Sequence, residues 1–308
     1  MIGFLVRRAG HGLLVLLAVS VVVFALSHAT GDPAAFMLPP SATTAQIEQY
    51  RVTMGFDRSI VVQYLSFLKG VLTLDFGNSY MYHQNALGMV FSRLGYTAVL
   101  AAAAVVITIL VAVPLGTLAA VYRGSLFDKI SQLLALLGQS APTFLIGVVL
   151  MLIFTVNLKW LPAFGSLTPQ GLLMPALTLG LYSTAETMRI VRSSMLDVLH
   201  EDFIRTVRAK GAGEGVVLRH AIKNSAVPIV TMVTLQLGAL IGGAVVTELV
   251  FSYPGVGMLA VQAIQNRDFI LVQAFVLVMA LIVVVLNILG DLFHTVVDPR
   301  IRLAGRSR

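Results

Sequence analysis

Glu186 is the residue whose type and position most invite chemistry: a carboxylate in the middle of an apolar run, with the guanidinium of Arg189 one helical turn further on. An ionisable side chain at membrane depth is costly to bury and is a functional candidate by default. Opposite charges at this spacing also neutralise one another on a helix face, and the reading adopted here is an Arg189–Glu186 pair near one end of the helix. Asn287, Asp291 and His294 fall on one face of a later apolar run. That trio has the types of a metal or proton site, but its spacing equally suits contact with a neighbouring helix, which is the expectation. The other chemistry-bearing patterns are missing. No Gly-x-x-x-x-Gly-Lys-Ser/Thr loop exists to hold a nucleotide, and no His-Glu-x-x-His or Gly-x-Ser-x-Gly appears. With no cysteine, disulfides and thiolate metal sites are excluded. The chain reads as a non-enzyme with no metal site, a pathway rather than a catalyst.

The elements that would carry these residues belong to a membrane. Of 308 residues 57% are hydrophobic and 11% charged, less than half the charge of an ordinary soluble domain. Five uncharged runs, Gly12–Ser27, Thr97–Tyr122, Ile130–Val156, Ala226–Thr247 and Ile270–Gly290, approach or exceed the length of a spanning helix. A sixth, Gly171–Ile190, is interrupted by Ser183, Thr184, Glu186 and Arg189. Counting it as a span puts 15 of the 21 Lys and Arg on one side of the membrane, which makes that side cytoplasmic, with both termini there. Four of the remaining six lie in the long 29–96 segment, where charge barely affects orientation. The net charge of +7 is therefore loop asymmetry and not a nucleic-acid stripe. The expectation is an all-α integral membrane protein of about six helices, its first run an uncleaved helix rather than a signal peptide.

Four segments follow. Residues 1–28 are a cytoplasmic N-terminus and first span, 29–96 an extracytoplasmic segment with short helices, 97–297 the core, and 298–308 a cytoplasmic tail. In the outer segment, Thr43 and Gln46 form a capping-box pattern for a helix ending before Gly55, and Tyr64 to Leu72 recur at helical spacing on a surface helix. In the core, the inside loop at about 191–226 has Phe203, Val207 and Lys210 on one helical face, then Gly211 and Gly213, then Val216, Val217, Leu218 and Ala221 opening a second short helix. Two short helices about a glycine turn would make a rigid knob. Gly238-x-x-x-Gly242, with Gly243, fits close helix packing, inside the fold or across a dimer. Glu248 ends the fifth run, where an interfacial structural role is expected.

At this point the residues resemble a family: the membrane subunits of bacterial ABC importers, in the peptide/nickel group. The stretch Phe203-Ile204-Arg205-Thr206-Val207-Arg208-Ala209-Lys210-Gly211-Ala212, with Leu218-Arg219-His220-Ala221-Ile222-Lys223-Asn224 after it, is similar to that group's coupling loop. Arg205-Thr206-Val207 and Asn224 stand where other type I importers have Glu-Ala-Ala and Leu-Pro. Gly31-Asp32-Pro33, Gln63-Tyr64 and Asp75-Phe76-Gly77-Asn78-Ser79 resemble the family's outer segment. Glu248 to Gly257, with Arg267-Asp268-Phe269, resembles its last outer loop, and Asp298-Pro299-Arg300 its C-terminal signature. Arg93-Leu94-Gly95-Tyr96-Thr97 departs from the pattern, which has Pro near position 95.

The resemblance implies a type I permease fold and the B-type member of a permease pair in the bacterial inner membrane. It implies contact with ATPase through Arg205, Ala209, Lys210, Gly211, Ala212, Gly213, Glu214, Val217 and Leu218, and helix packing at Gly238, Gly242 and Gly243. Its outer loop would use Glu248, Pro254, Gly255, Gly257, Arg267 and Asp268. The implied partners are a C-type permease, two cytoplasmic ATPase subunits or domains holding ATP and Mg, an extracytoplasmic substrate-binding protein and lipid, with no nucleic acid and no cofactor in this chain. Di- or oligopeptides are the implied cargo, with nickel chelates, glutathione or oligosaccharides as alternatives. An autonomous ion-coupled carrier or intramembrane enzyme built on Glu186 and Asp291 is the distant rival.

Overall fold

The computed structural model describes residues 2–29, 38 and 41–297. Gly31-Asp32-Pro33 and Asp298-Pro299-Arg300 lie outside the described residues, as do the side chains of Asp291 and His294. The described residues are almost all helical: α1 (Ile2–Ala29), α2 (Thr44–Met54), α3 (Ile60–Leu72), α4 (Ala86–Val121), α5 (Leu126–Ser140), α6 (Thr143–Met151), α7 (Pro169–Leu199), α8 (Asp202–Ala209), α9 (Glu214–Val250), α10 (Val256–Gln265) and α11 (Phe269–Val297). The contacts divide the chain into two compact units, one of residues 1–95 with 258–288 and the other of 96–257 with 289–308.

Within the first unit, α1 carries the outer segment on its last turns. Phe24 packs against Tyr64 and Phe67 of α3 at ring distances of 5.2 and 5.7 Å. The hydroxyls of Ser20 and Tyr64 lie 2.9 Å apart, and His28 meets the Gln63 amide at 2.9 Å. The capping box is formed as expected: Thr43 and Gln46 bond reciprocally to open α2, and Gly55 ends it at φ +73°, a backbone that glycine adopts without cost.

The second unit is a bundle of α4, α5, α6, α7 and α9. Only residues without bulk permit its closest crossings. A Cβ on Gly116 of α4 would stand 2.7 Å from the Met188 carbonyl of α7 and 2.8 Å from Val191, and one on Gly180 of α7 would meet Ile107 at 2.9 Å. Thr108 donates its hydroxyl to the Gly180 carbonyl at 3.1 Å across the same crossing. The glycines at these crossings are therefore Gly116 and Gly180. A Cβ on Gly238, Gly242 or Gly243 would meet no atom of the described residues within 4 Å, so the glycine motif of α9 is not packed among the described residues of its own chain.

Three expected spans differ in shape. The run 130–156 is not one rod. It breaks at Ala141–Pro142, where α5 and α6 meet at 104°, because proline lacks the donor that continuation needs and its ring restricts the residue before it. After α6 the chain widens into one π-helical turn at Leu152–Asn157. The second span begins earlier than expected: without Pro at 95, α4 runs unbroken for 36 residues, about 54 Å. The second short helix after Gly213 is instead the start of α9, whose 37 residues bend by 52° between Thr234 and Gly238 and outnumber the roughly 20 that a span needs. Its first turns carry Arg219, His220, Lys223 and Asn224, all exposed.

By length and apolar composition three described helices can span, or five when each bent pair counts as one. The helix α7 is less apolar, with Pro175, Ser183, Thr184, Glu186 and Arg189 along it, yet at 31 residues it is long enough, and most of its middle is buried by its neighbours. It is the sixth, held inside the bundle. Because the chain has no cysteine, single substitutions report sidedness directly. Arg123→Cys and Lys210→Cys are expected to react with an impermeant thiol reagent only from the cytoplasm, and Thr73→Cys only from outside. Outer labelling at Lys210 would discard the six-span arrangement.

Candidate functional site: the inner loop and the polar ties behind it

The inner loop is shorter than its sequence suggests, running from His200 to Gly213 between α7 and α9 and containing only α8. The buried side of α8 is Ile204, with Val207 beside it; Phe203 and Lys210 are exposed. The face expected from Phe203, Val207 and Lys210 is thus one residue out of phase, since Ile204 fills the gap between Val191 and Met195 of α7 and Val217 and Ala221 of α9. That contact fixes the loop to both long helices. Gly211 takes φ +78°, so the chain turns in the left-handed region, while a Cβ there would meet no atom within 4 Å. Gly213 is the residue before α9 and has an ordinary extended backbone.

The tip is solvated and charged. Arg208 donates two bonds to Glu214, at 3.0 and 3.2 Å, straddling the turn, and Arg205 reaches Asp202 at 3.4 Å. The bond from Arg208 holds the Glu214 carboxyl below its ordinary range. Any contribution of that pair is present at neutral pH and lost as pH falls through the depressed value. Arg205, Ala209, Lys210, Gly211, Gly213 and Glu214 are all exposed, whereas Val217 is buried and Ala212 and Leu218 are half-buried. The loop therefore offers a firm polar surface on an apolar foot.

Behind it lies a tie absent from the sequence-based expectations. Arg192 of α7 donates from Nε to Asp128 Oδ1 at 2.7 Å and from Nη2 to Oδ2 at 2.8 Å, and Asp128 also accepts from Gly124 N–H and Gln132. Asp128 is buried on the first turn of α5, whose cap is Ser125. The Ser125-x-x-Asp128 cap pattern was legible; the partner 64 residues away was not. Arg189 does not pair with Glu186. It donates to Gln139, and Glu186 accepts from Gln236 at 3.4 Å.

The outer motif residues are brought together in two places. In the second unit, Glu248 is fully buried and accepts from Thr97 Oγ1 at 2.6 Å, and Thr97 in turn accepts from Val256 N–H at 2.9 Å. A Cβ on Gly255 would lie 2.1 Å from Glu248 Oε1, and one on Gly257 would lie 2.7 Å from Val245 Cα. Those glycines are where the loop folds over the carboxyl. Glu248 is buried here rather than at an interface. In the first unit, Asp268 is buried; it accepts from Ser79 Oγ, from Met81 N–H at 3.3 Å and from Leu271 N–H at 3.1 Å, joining the Asp75–Ser79 stretch to the start of α11. The adjacent Arg267 turns at φ +55°.

A cavity of about 600 Å³ opens in the first unit, lined by Phe24, His28, Tyr50, Arg58, Gln63 and Tyr80 among others. Burial, with Tyr50 nearby, pushes the Tyr80 phenol up, so it stays protonated. Asn287 is exposed, and no cluster of three metal-ligating side chains occurs among the described residues.

Comparison with known proteins places these features in context. Residues 112–303 match the family described as the binding-protein-dependent transport system inner membrane component, and 1–102 match its N-terminal domain. A Brucella suis protein whose name gives peptide permease as an inferred function is 37% identical over 98% of this chain and 100% of its own length. The glutathione transport system permease GsiC of Salmonella choleraesuis is 37% identical over 98% of this chain and 99% of its own. Among solved structures, the MetNI methionine ABC transporter aligns with a TM-score of 0.53 at 18% identity, covering 68% of this chain and 96% of that one. An amino acid ABC transporter aligns at 0.51 and 16%, covering 67% and 93%. Those two likenesses concern the fold.

The Asp128–Arg192 tie makes a direct prediction. Asp128→Ala leaves a guanidinium half-buried without its anion, which typically costs about 3–5 kcal/mol. The purified protein should melt measurably earlier in detergent, and Asp128→Leu with Arg192→Met should recover most of the loss. An unchanged melting temperature in Asp128→Ala would show that the tie contributes little.

Proposed function

The chain belongs to the family of binding-protein-dependent transport system inner membrane components, and we propose that it forms half of the path by which an ATP-driven importer brings di- or oligopeptides into the cell. The observation that carries this reading is the α8 loop: a charged, glycine-turned knob whose apolar foot is wedged between two long helices of the bundle. A force applied at Arg205–Glu214 reaches α7 and α9 without passing through a flexible connection. That is the mechanical need of a subunit that binds no ATP itself.

In this reading both termini are cytoplasmic and the membrane is the bacterial inner membrane. Two ATPase subunits or domains, which hold ATP and Mg, dock on the loop through Arg205, Ala209, Lys210, Gly211 and their neighbours. A second, C-type permease packs against α9 at Gly238, Gly242 and Gly243, whose open backbone has no partner among the described residues. A binding protein delivers cargo at the outer face, near the segment held by Asp268. ATP binding closes the ATPases, the loops move together, and packed helices rock between inward- and outward-facing arrangements. Peptide cargo is supported by the names of the full-length relatives, one for peptides and one for glutathione, itself a tripeptide. Nickel chelates and oligosaccharides remain the alternatives within the family.

Two substitutions test the two interfaces. Gly242→Leu adds a side chain where a partner backbone would approach; overpacking of this kind costs roughly 1–3 kcal/mol. The chain alone should accumulate normally while recovery of the intact complex falls, and normal complex yield would mean this face meets lipid. Gly211→Leu has room for its side chain but not a relaxed backbone, since the left-handed region costs a residue with a Cβ roughly 1–2 kcal/mol. In proteoliposomes the complex should hydrolyse ATP without acceleration by loaded binding protein, and uptake should fall. Full ligand-stimulated turnover and uptake in Gly211→Leu would remove the coupling role.

A further inference from the structure

One side of α7 is left uncovered by the rest of its unit. Tyr182, Arg189, Ser193 and Asp197 are exposed and Glu186 is half-exposed, at spacings of three or four residues that keep them on one face. Lipid would call for an apolar stripe there. Charged groups within a span instead face a bundle interior or a water-filled cavity. Glu186 lies 13 residues before the end of α7 at Leu199, about 20 Å along the helix.

Glu186 and Arg189 have opposite charges one turn apart, the arrangement that ordinarily pairs. Each is instead tethered by a neutral amide. Gln236 Nε2 donates to Glu186 Oε2 at 3.4 Å while its own oxygen accepts from Thr187 Oγ1 at 3.1 Å, and Arg189 Nη2 donates to Gln139 Oε1. Among the described residues neither charge has an ion-pair partner. A carboxylate offers about four acceptor sites and a guanidinium five donors, so both keep most of their capacity. An anion and a cation are thus held apart, side by side, on an open polar face.

We propose that Glu186 and Arg189 form a zwitterion-binding pair on the transport path, Glu186 taking the ammonium end of a short free peptide and Arg189 its carboxylate. The Cβ atoms of residues one turn apart are about 5–6 Å apart, and an extended dipeptide spans at most about 7 Å, so the two flexible side chains can bracket it. With the C-terminal end of α7 inside, the peptide enters carboxylate first. The pair rests on the peptide-importer reading and names the feature of the cargo that the path recognises.

The test uses the complete complex in proteoliposomes, with alanyl-alanine, its N-acetyl form and its C-amide as probes. Glu186→Gln should lower alanyl-alanine uptake about tenfold, the loss of one hydrogen bond to a charged group, and Glu186→Asp should recover most of it. Arg189→Gln should lower uptake of the free and N-acetyl forms but not the amide. As a measure independent of uptake, Tyr182→Cys on the same stripe should react with an impermeant thiol reagent, and alanyl-alanine should slow that reaction unless Glu186→Gln is also present. Wild-type uptake of alanyl-alanine that both charge variants retain within about twofold would overturn the pair alone. A wild-type complex that hydrolyses ATP in response to loaded binding protein yet takes up no alanyl-alanine would overturn the peptide reading, and the pair with it. If the charge variants fail to assemble, the Tyr182→Cys reaction decides. No labelling in any nucleotide state would mean the stripe is covered by the partner permease or by lipid.

Discussion

Hydrocarbon offers no hydrogen bonds, so every polar group carried into the membrane must find its partner within the protein. The second unit is organised by that constraint more than by the apolar contacts that fill it. Apart from α7, its helices are apolar enough to lie in lipid, and Leu or Val contacts alone would not fix which helix meets which, because lipid tails are as apolar as they are. The specific crossings are made by hydroxyls, glycines and paired charges. Thr108 bonds the Gly180 carbonyl where α4 and α7 touch, Thr97 bonds Glu248, and Arg192 grips Asp128 with both arms of its guanidinium. Each bond can be satisfied in one arrangement only.

The same constraint separates two kinds of charged residue that a sequence presents alike. Glu248 and Asp128 are enclosed, with hydrogen bonds from neighbouring hydroxyl, amide or guanidinium groups, and their surroundings are shaped to them. Gly255 and Gly257 carry no side chain because the Glu248 carboxyl occupies that space. Glu186 and Arg189 are held at the edge, each by one neutral amide. Structural charges are saturated and charges available to a ligand are not; that difference lies in the partners and not in the residue type.

Much of the architecture was legible because it follows from short-range rules. The capping box at Thr43 and Gln46, the turn at Gly55, the apolar runs and the basic loops each depend on residues close in sequence. The errors share a cause. The Glu186–Arg189 pair was inferred from spacing alone, but Gln236 and Gln139, about 50 residues away on either side, compete for those charges. Spacing from Phe203 puts the α8 face one residue out of phase, because the pocket between α7 and α9 receives Ile204. The glycine motif at 238–243 was visible while the working glycines, Gly116 and Gly180, were not, since a glycine's role is set by the backbone that comes to meet it. Asp128 and Arg192 were two unremarkable charges until α5 and α7 were placed side by side.

The loop and the membrane core are also one mechanical object. Ile204 of α8 is fully buried against Val191 and Met195 of α7, with Val217 and Ala221 of α9, and Ala120 at the inner end of α4 closes the same cluster. Three residues before Met195 and one after Val191, the helix is tied to α5 through Arg192 and Asp128. A displacement of the α8 tip is not readily absorbed in the loop, whose apolar foot, Ile204, is fully buried in this cluster. It passes into α7, the helix that also bears Glu186 and Arg189. Close-packed interiors are bistable rather than continuously deformable, so a push at Arg205–Glu214 either leaves this assembly where it is or shifts α7 as a rod. A shift of that rod moves Glu186 and Arg189 together, so a displacement at the α8 tip is felt about 20 Å away along α7.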